Sequence, residues 1–488
     1  MSAAEPRDAV AEPGDHVRRR TGDVPDRAGA RDPHVADSPA NRRGGRRRIP
    51  LVALFAAQLC SLGGNAIAIV AIPLIVLQQT GSPLAAGVAG IFATVPLVIG
   101  GAFGGVLVDR FGYRTSSIAA DVASGATVLA IPLLDAAGLL SFGALLALVF
   151  LGGLLDPPGD TAKTVLMPDL AALAGTPLAR AAGAQSAVQR TATMVGAGTA
   201  GALVAISGPM TALVADAAGF AVSALLVAVF VPGRRRSAGR AASAGETDVA
   251  SSAAGFVAGI RFIVRTPLAR AVVLLVTLTN AIDAAGMTVL KPVYASQVLG
   301  DPAALGFMIG CFAAGALAGS ALFGLVGHRG SGRLMFAACF VLAGTPPYLA
   351  MALEAPRAVL FPVLALSGLA AGALNPMIAT ALFAVVPDGM RARVFGALTS
   401  GVAASMPVGA FAAGLAVDAF GLVPVLAGAA ALYAVLGASP LVLRGFDGLA
   451  GARDAASAVS VDVAEADASS SSTAGSRLDE VAEPSRSS

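Results

Sequence analysis

Tryptophan is absent from the 488 residues, two lysines stand beside thirty-one arginines, and charged residues make up only 13% of the chain. The two lysines settle one question. A phosphate-gripping loop needs the pattern G-x-x-x-x-G-K-[ST]. Lys163 follows Ala162 and Lys291 follows Leu290, so ATP hydrolysis through such a loop is excluded. Cysteine is nearly as scarce. Cys60, Cys311 and Cys339 all lie inside apolar runs, where thiols pack as small apolar groups and build no disulfide framework. No nucleophile stands with a base and no set of metal ligands clusters, so neither an enzyme nor a cofactor is expected. A polar site made of Asp156, Asp160 and Lys163 is the weak alternative. Without indole rings to stack a flat ligand, any binding cavity should be largely apolar. No nucleic-acid partner is expected.

Apolar sequence is what the chain has in excess: 56% of residues are hydrophobic and the mean hydropathy is +0.77. That composition requires lipid as a solvent. Crossing a bilayer takes about 20 apolar residues. Runs of that length lie at about 51–77, 84–108, 114–135, 139–166, 185–207 and 210–231, then at about 269–295, 302–327, 333–353, 358–386, 394–417 and 423–443. The spacing predicts an all-α membrane protein with twelve transmembrane helices. Residues 1–49, basic, and 445–488, acidic, lack apolar periodicity and are expected to be disordered tails. The first apolar run is too long and starts too late for a secretory signal. Residues 50–231 and 269–444 form two halves, and 232–268 the linker between them. The linker opens PGRRRSAGRAASAG and closes with the amphipathic piece FVAGIRFIVR. Its arginines read as topology determinants, with an anionic-lipid contact as the other reading.

Arginines also set the orientation, because positive loops stay in the cytoplasm. With the N-terminus inside, inner loops carry Arg110, Arg114, Arg180, Arg234, Arg235, Arg236, Arg240, Arg329, Arg333, Arg391, Arg393 and Arg444. Outer loops carry only Arg357. Both termini are therefore expected in the cytoplasm, in a multi-pass protein of the cell membrane.

An offset of 219 carries Pro73, Gly81, Pro83, Gly87, Gly100, Gly105, Arg110 and Arg114 onto Pro292, Gly300, Pro302, Gly306, Gly319, Gly324, Arg329 and Arg333. It likewise pairs Gly153, Asp156, Pro157 and Thr161 with Gly372, Asn375, Pro376 and Thr380. The offset then falls to 213, pairing Gly183, Gly196, Gly201 and Gly208 with Gly396, Gly409, Gly414 and Gly421. Such a duplication predicts two pseudo-symmetric six-helix halves in parallel orientation.

Between the second and third runs, Gly105, Asp109, Arg110, Gly112 and Arg114 follow the spacing G-x-x-x-D-R-x-G-x-R. This resembles the loop between helices 2 and 3 of the major facilitator superfamily, and the likeness extends over residues 50–444. The second copy, GLVGHRGSGR, departs from the pattern at His328 and Ser331. The opening SLGGNAIAIVAIPLIVLQQTGSPLAAG is similar to bacterial drug and siderophore exporters of the macrolide and enterobactin efflux type. The resemblance implies a hinge that latches the halves, with Asp109 facing the start of the eleventh helix near Phe395 and Asp121 supporting Arg114. It also implies that the first, fourth, seventh and tenth helices line the cavity, where Pro73, Pro157, Pro292 and Pro376 break them. That group often has an acid where Asn65 stands. The antiporter pattern of the fifth helix lacks its proline here, so proton coupling comes by analogy.

Ionisable groups inside a bilayer cost about 2.5–3.5 kcal/mol each, so they usually face protein or water and often work. Asp156, Asp160 and Lys163 share one face of the fourth run. Asp160 and Lys163 can neutralise one another, leaving Asp156 as a proton-binding candidate. Asp283, with Lys291 two turns outward, is the second. Arg190 is expected either to pair with Asp156 or to mark the boundary, and Asp216 to lie at the interface. The whole reads as a monomeric secondary transporter exporting a small amphipathic compound in exchange for protons. A siderophore exporter, a proton-coupled importer, and a non-transporting sensor or scaffold are the alternatives.

Overall fold

The computed structural model describes residues 40–233, 249–326 and 332–447, and for some helical residues, Gly105, Asp109 and Arg110 among them, only the backbone. Arg234, Arg235, Arg236 and Arg240 of the linker, His328, Arg329 and Ser331 lie outside the described residues, as do residues 1–39 and 448–488. Contacts divide the chain into a short unit, Met1–Gly45, and a large one, Arg46–Ser488, and apart from the start of the first helix everything below belongs to the large one.

In lipid every backbone amide must be paired within its own segment, which leaves the helix as the workable element for an apolar chain of this pattern. The helices are α1 (Ala40–Thr80), α2 (Pro83–Phe111), α3 (Tyr113–Ala136), α4 (Phe142–Leu173), α5 (Leu178–Phe230) and α6 (Val249–Arg265). They continue with α7, which begins at Pro267 and runs on to Val298, then α8 (Ala304–Val326), α9 (Arg333–Ala352), α10 (Arg357–Val385), α11 (Arg391–Phe420) and α12 (Leu422–Val442). Helix α1 starts ten residues before the expected boundary. Arg42, Arg43, Arg46, Arg47 and Arg48 thus extend it instead of belonging to a disordered tail, and arginine is a good helix former.

Eleven of these helices are long and apolar enough to cross a membrane. The longest, α5, has 53 residues and would stretch about 80 Å if straight, more than twice a bilayer core. It is folded at Gly208, where φ is 84° and ψ 169°, so its two arms make two crossings and the total is twelve. Gly421, the repeat mate of Gly208, separates α11 from α12 with φ 83° and ψ 166°. The same backbone kink at matched positions makes the duplication structural. The spans agree as well: Arg48–Thr80 shifted by 219 falls on Pro267–Val298 to within a residue.

Packing repeats too. Helix α2 lies on α4 as α8 lies on α10, and α3 lies on the second arm of α5 as α9 lies on α12. Lipid tails are as apolar as leucine, so helices gain by close approach of small residues. The halves meet along two such seams. A Cβ on Gly87 of α2 would lie 2.7 Å from the Ala410 carbonyl of α11. A Cβ on Gly306 of α8 would lie 2.8 Å from the Ala197 carbonyl of α5, and each residue of the second seam is the repeat mate of one in the first.

One face of the bundle, where α1 begins and α12 ends, is called the tail face below. Toward the opposite, far face one core joins both halves, with Val70, Leu74, Ala200 and Val204 packed in the same cluster as Val289, Val293, Leu305 and Leu426. Toward the tail face the described cores are separate. Leu54, Leu166 and Val227 belong to the first half, and Phe336, Leu382 and Val394 to the second. There Ser186, Gln189, Arg190 and Thr193 of α5, Asn375 and Thr380 of α10, and Thr399 and Ser400 of α11 are exposed.

Placing a side chain at a left-handed position costs about 1–2 kcal/mol. Gly208→Ala and Gly421→Ala should therefore each lower the melting temperature of the purified protein, and the double variant should lose about the sum. An unchanged melting temperature would show that the kinks are not fixed by glycine.

Candidate functional site

Gln58, Ser61 and Asn65 recur at helical spacing and share one face of α1. That face meets the polar face of α4. The amide Nδ2 of Asn65 donates to Asp156 Oδ2 at 2.7 Å, at the middle of both spans. Toward the tail face, Lys163 Nζ donates to Ser61 Oγ and to Asp121 Oδ1 of α3, each at 2.8 Å. Ser223 of the second arm of α5 donates to the other Asp121 oxygen at 2.7 Å. Four crossing segments thus converge on one ion pair whose members are 0% and 1% exposed. Two oxygens of the cluster, Asp160 Oδ1 and Gln58 Oε1, are buried without a hydrogen-bond partner. Among the described residues, three carboxyl groups, Asp121, Asp156 and Asp160, thus stand near one ammonium, and only Asp121 is bonded to it.

Among the described residues the second half has no such lysine–carboxylate cluster. The repeat mates of Lys163, Asp121 and Ser223 are Leu382, Phe340 and Leu436, which pack together in that half's own core. Asn375, the mate of Asp156, is exposed. Asp283 receives the Tyr433 hydroxyl at 3.3 Å, and Tyr348 donates to the Ile282 carbonyl at 3.0 Å.

Several expected partners differ. Lys163 pairs with Asp121 and not with Asp160, because it points across α4 toward α1 and α3. Asp121 therefore does not support Arg114. That guanidinium sits two turns away at the tail face and donates to the Ala228 carbonyl at 2.5 Å, where the second arm of α5 runs out of helical donors. Arg333, its repeat mate, does the same for Pro440 and Leu441 at the end of α12 and adds an ion pair with Asp447 at 2.6 Å. Gly112 separates α2 from α3 as expected, with φ 86°. The side chains of Asp109 and Arg110 lie outside what is described. Arg190 is exposed, and Asp156 bonds to Asn65 instead. Lys291 does not reach Asp283 either. Its ammonium is 3.6 Å from Met287 Sδ and 5.5 Å from the centre of the Phe312 ring. Asp216 is fully buried, not interfacial.

The prolines divide. Pro73 and Pro292 are buried toward the far face rather than lining an opening, while Pro157 and Pro376 are half-buried. Only at Pro292 is the helix visibly irregular. Widened turns flank it at Gly286–Leu290 and Tyr294–Val298, since proline removes one donor and forces the carbonyl before it aside. Ser61, Ser223 and Gln58 were missing from the sequence reading. The spacing of Gln58, Ser61 and Asn65 carried a signal, whereas Ser223 had none.

Twelve crossings in two repeated halves, joined by two small-residue seams, define a secondary transporter of the major facilitator fold. The family model described as transmembrane secretion effector matches residues 47–457, and the chain belongs to that family. Among similar proteins, the multidrug efflux pump Tap of Mycolicibacterium fortuitum is 29% identical over 381 residues, 77% of this chain and 91% of the relative. Tap of Mycobacterium tuberculosis (strain ATCC 25618 / H37Rv) is 29% identical over 385 residues, 77% of this chain and 88% of the relative. The fold is similar to that of the nucleoside transporter NupG, with a TM-score of 0.63, 14% identity and coverage of 81% and 98% of the two chains. It is also similar to a bacterial homologue of the iron transporter ferroportin in its inward-facing state, with a TM-score of 0.57, 15% identity and coverage of 81% and 99%.

Removing one member of a buried ion pair leaves an uncompensated charge and typically costs about 3–5 kcal/mol. Lys163→Met should destabilise the purified protein by that order, and adding Asp121→Asn should recover part of the loss. A double variant no more stable than Lys163→Met alone would show that the pair is not the coupled unit.

Proposed function

We propose that the chain exports small amphipathic compounds, drugs among them, from the cytoplasm in exchange for protons, and that Asp156 and Asp160 carry the exchanged proton. One observation carries this reading. A core of Leu382, Phe340 and Leu436 packs the same place in the second half without any charge, so the fold does not require the ionic cluster of the first. Buried ion pairs are weak stabilisers against well-packed apolar residues. A cluster kept at that expense, with an unpartnered Asp160 oxygen and a mid-membrane Asp156, is suited to titration during a cycle. The relatives named as multidrug efflux pumps support the direction and substrate class.

In this reading the tail face is cytoplasmic, because the loop arginines lie there. The halves share a core toward the far face and have separate cores toward the tail face, which supports reading this conformation as the one facing the cytoplasm. A drug would enter among Asn375, Thr380, Thr399 and Ser400. Binding and proton exchange at Asp156 would let the halves rock about the Gly87 and Gly306 seams, opening the far face.

Cells expressing the chain should accumulate less of at least one fluorescent lipophilic cation or neutral amphiphile from a panel, and a protonophore should erase the difference. Raising external pH should slow efflux by the native chain and leave residual efflux by Asp156→Asn unaffected. Efflux that survives the protonophore, or an Asp156→Asn variant with native pH dependence, would contradict the proton role.

A further inference from the structure

Outside the cluster, one buried acid is used by nothing described so far. Asp216, on the second arm of α5, is 0% exposed and neither of its carboxyl oxygens has a hydrogen-bond partner. It rests on Gly64 at the middle of the Arg48–Thr80 span. A Cβ on Gly64 would overlap Asp216 Oδ1 and lie 3.2 Å from its Cγ. The repeat mate of Gly64 is Asp283. In the second half the acid stands on α7 and receives Tyr433 of α12, and in the first half it stands on the second arm of α5 and reaches back to α1. Each half therefore places one carboxyl at the same junction, supplied from opposite sides. The mate of Asp216 is Ala429, so each junction carries a single acid of the two positions.

Among the described residues, no titratable or charged group on the neighbouring elements bonds to Asp216, and Arg190, on the first arm of α5, is exposed. On α1 the nearest is Cys60, one turn toward the tail face. On α3, Asp121 is already held by Lys163 and by Ser223, about 10 Å along the second arm from Asp216. On α4, Asp156 is bonded to Asn65, and Asp160 lies a turn farther toward the tail face. Asp135 of α3 is exposed at the far face. An unaccompanied carboxylate buried so completely would carry a large desolvation cost.

We propose that Asp216 is a second proton-binding site, holding a neutral carboxyl between α1 and the second arm of α5 in this conformation. When α1 shifts against that arm, water reaches the carboxyl, the O–H bond breaks and the proton passes to the water. Gly64 and Ala215, the residues beside the carboxyl, also wall a groove of about 220 Å³ that lies mainly between α1 and the first arm of α5, which leaves α1 space to move away from the second arm. The contact is thus a junction that protonation closes and deprotonation opens.

The test uses the full chain in lipid bilayers and does not depend on knowing a substrate. Infrared spectra at neutral pH should show a neutral-carboxyl stretch that Asp216→Asn removes and Asp156→Asn leaves in place. Gly64→Ala, which presses a methyl group on the carboxyl while keeping the acid, should shift that band. Titration with a pH-indicator dye should count one exchangeable proton fewer per chain in Asp216→Asn than in the native protein. If every neutral-carboxyl band of the native chain persists in Asp216→Asn, or if the proton count is unchanged, the proposal is wrong. Should Asp216→Asn fail to assemble, an unshifted band in Gly64→Ala overturns it equally. Neither readout needs drug export to be correct, so the two readings can fail separately.

Discussion

The ammonium of Lys163 is 0% exposed and is held by Ser61 and Asp121, with Ser223 holding the far oxygen of the carboxylate. That one pair ties α1, α3, α4 and the second arm of α5 together and fixes how the polar faces of α1 and α4 meet. Asn65 is consequently held against Asp156 rather than turned toward lipid. Where leucine and phenylalanine stand in place of the pair, the second half reaches the same helix arrangement by packing alone. The two halves thus solve one geometric problem in two ways, and only the first does so with a buried lysine–carboxylate pair.

Movement of such a molecule is constrained by its seams. Gly87 against Ala410 and Gly306 against Ala197 bring backbones within contact distance on both sides of the pseudo-twofold axis. Contacts of that kind are made by small residues whose backbones approach closely, so two rigid halves can rotate over them. Rigidity within each half comes from other features. Arg114 and Arg333 fasten the starts of α3 and α9 to the ends of the second arm of α5 and of α12. These arginines were expected to latch one half to the other. They instead cap helix ends inside each half, where unpaired carbonyls and the helix dipole favour a cation.

Fold was largely legible because lipid imposes it. Run lengths, the arginine count and the fixed offset between copies were enough to place twelve crossings, and Gly208 and Gly421 were visible as repeat mates before their backbone angles were known. The site was less legible. Helical spacing placed Asp156, Asp160 and Lys163 on one face, but which acid takes the lysine depends on whether α3 or α4 itself offers the better partner across the packing. Asp216 was misplaced for a related reason. Its depth in the second arm depends on where α5 folds, and its solitude depends on a glycine facing it from a helix about 150 residues earlier in the chain.

The central claim is that two halves rock over the glycine seams as the acids of the first half gain and lose protons. Pulsed electron spin distances would test it most directly, in the full chain with its three native cysteines replaced by alanine. One label pair would span the far face at Thr80→Cys and Gln297→Cys, and a second the tail face at Arg180→Cys and Arg393→Cys. Between acidic and alkaline buffer the two distance distributions should shift in opposite directions, one lengthening as the other shortens. Distributions that stay fixed at both faces, or that widen together, would contradict rocking about these seams.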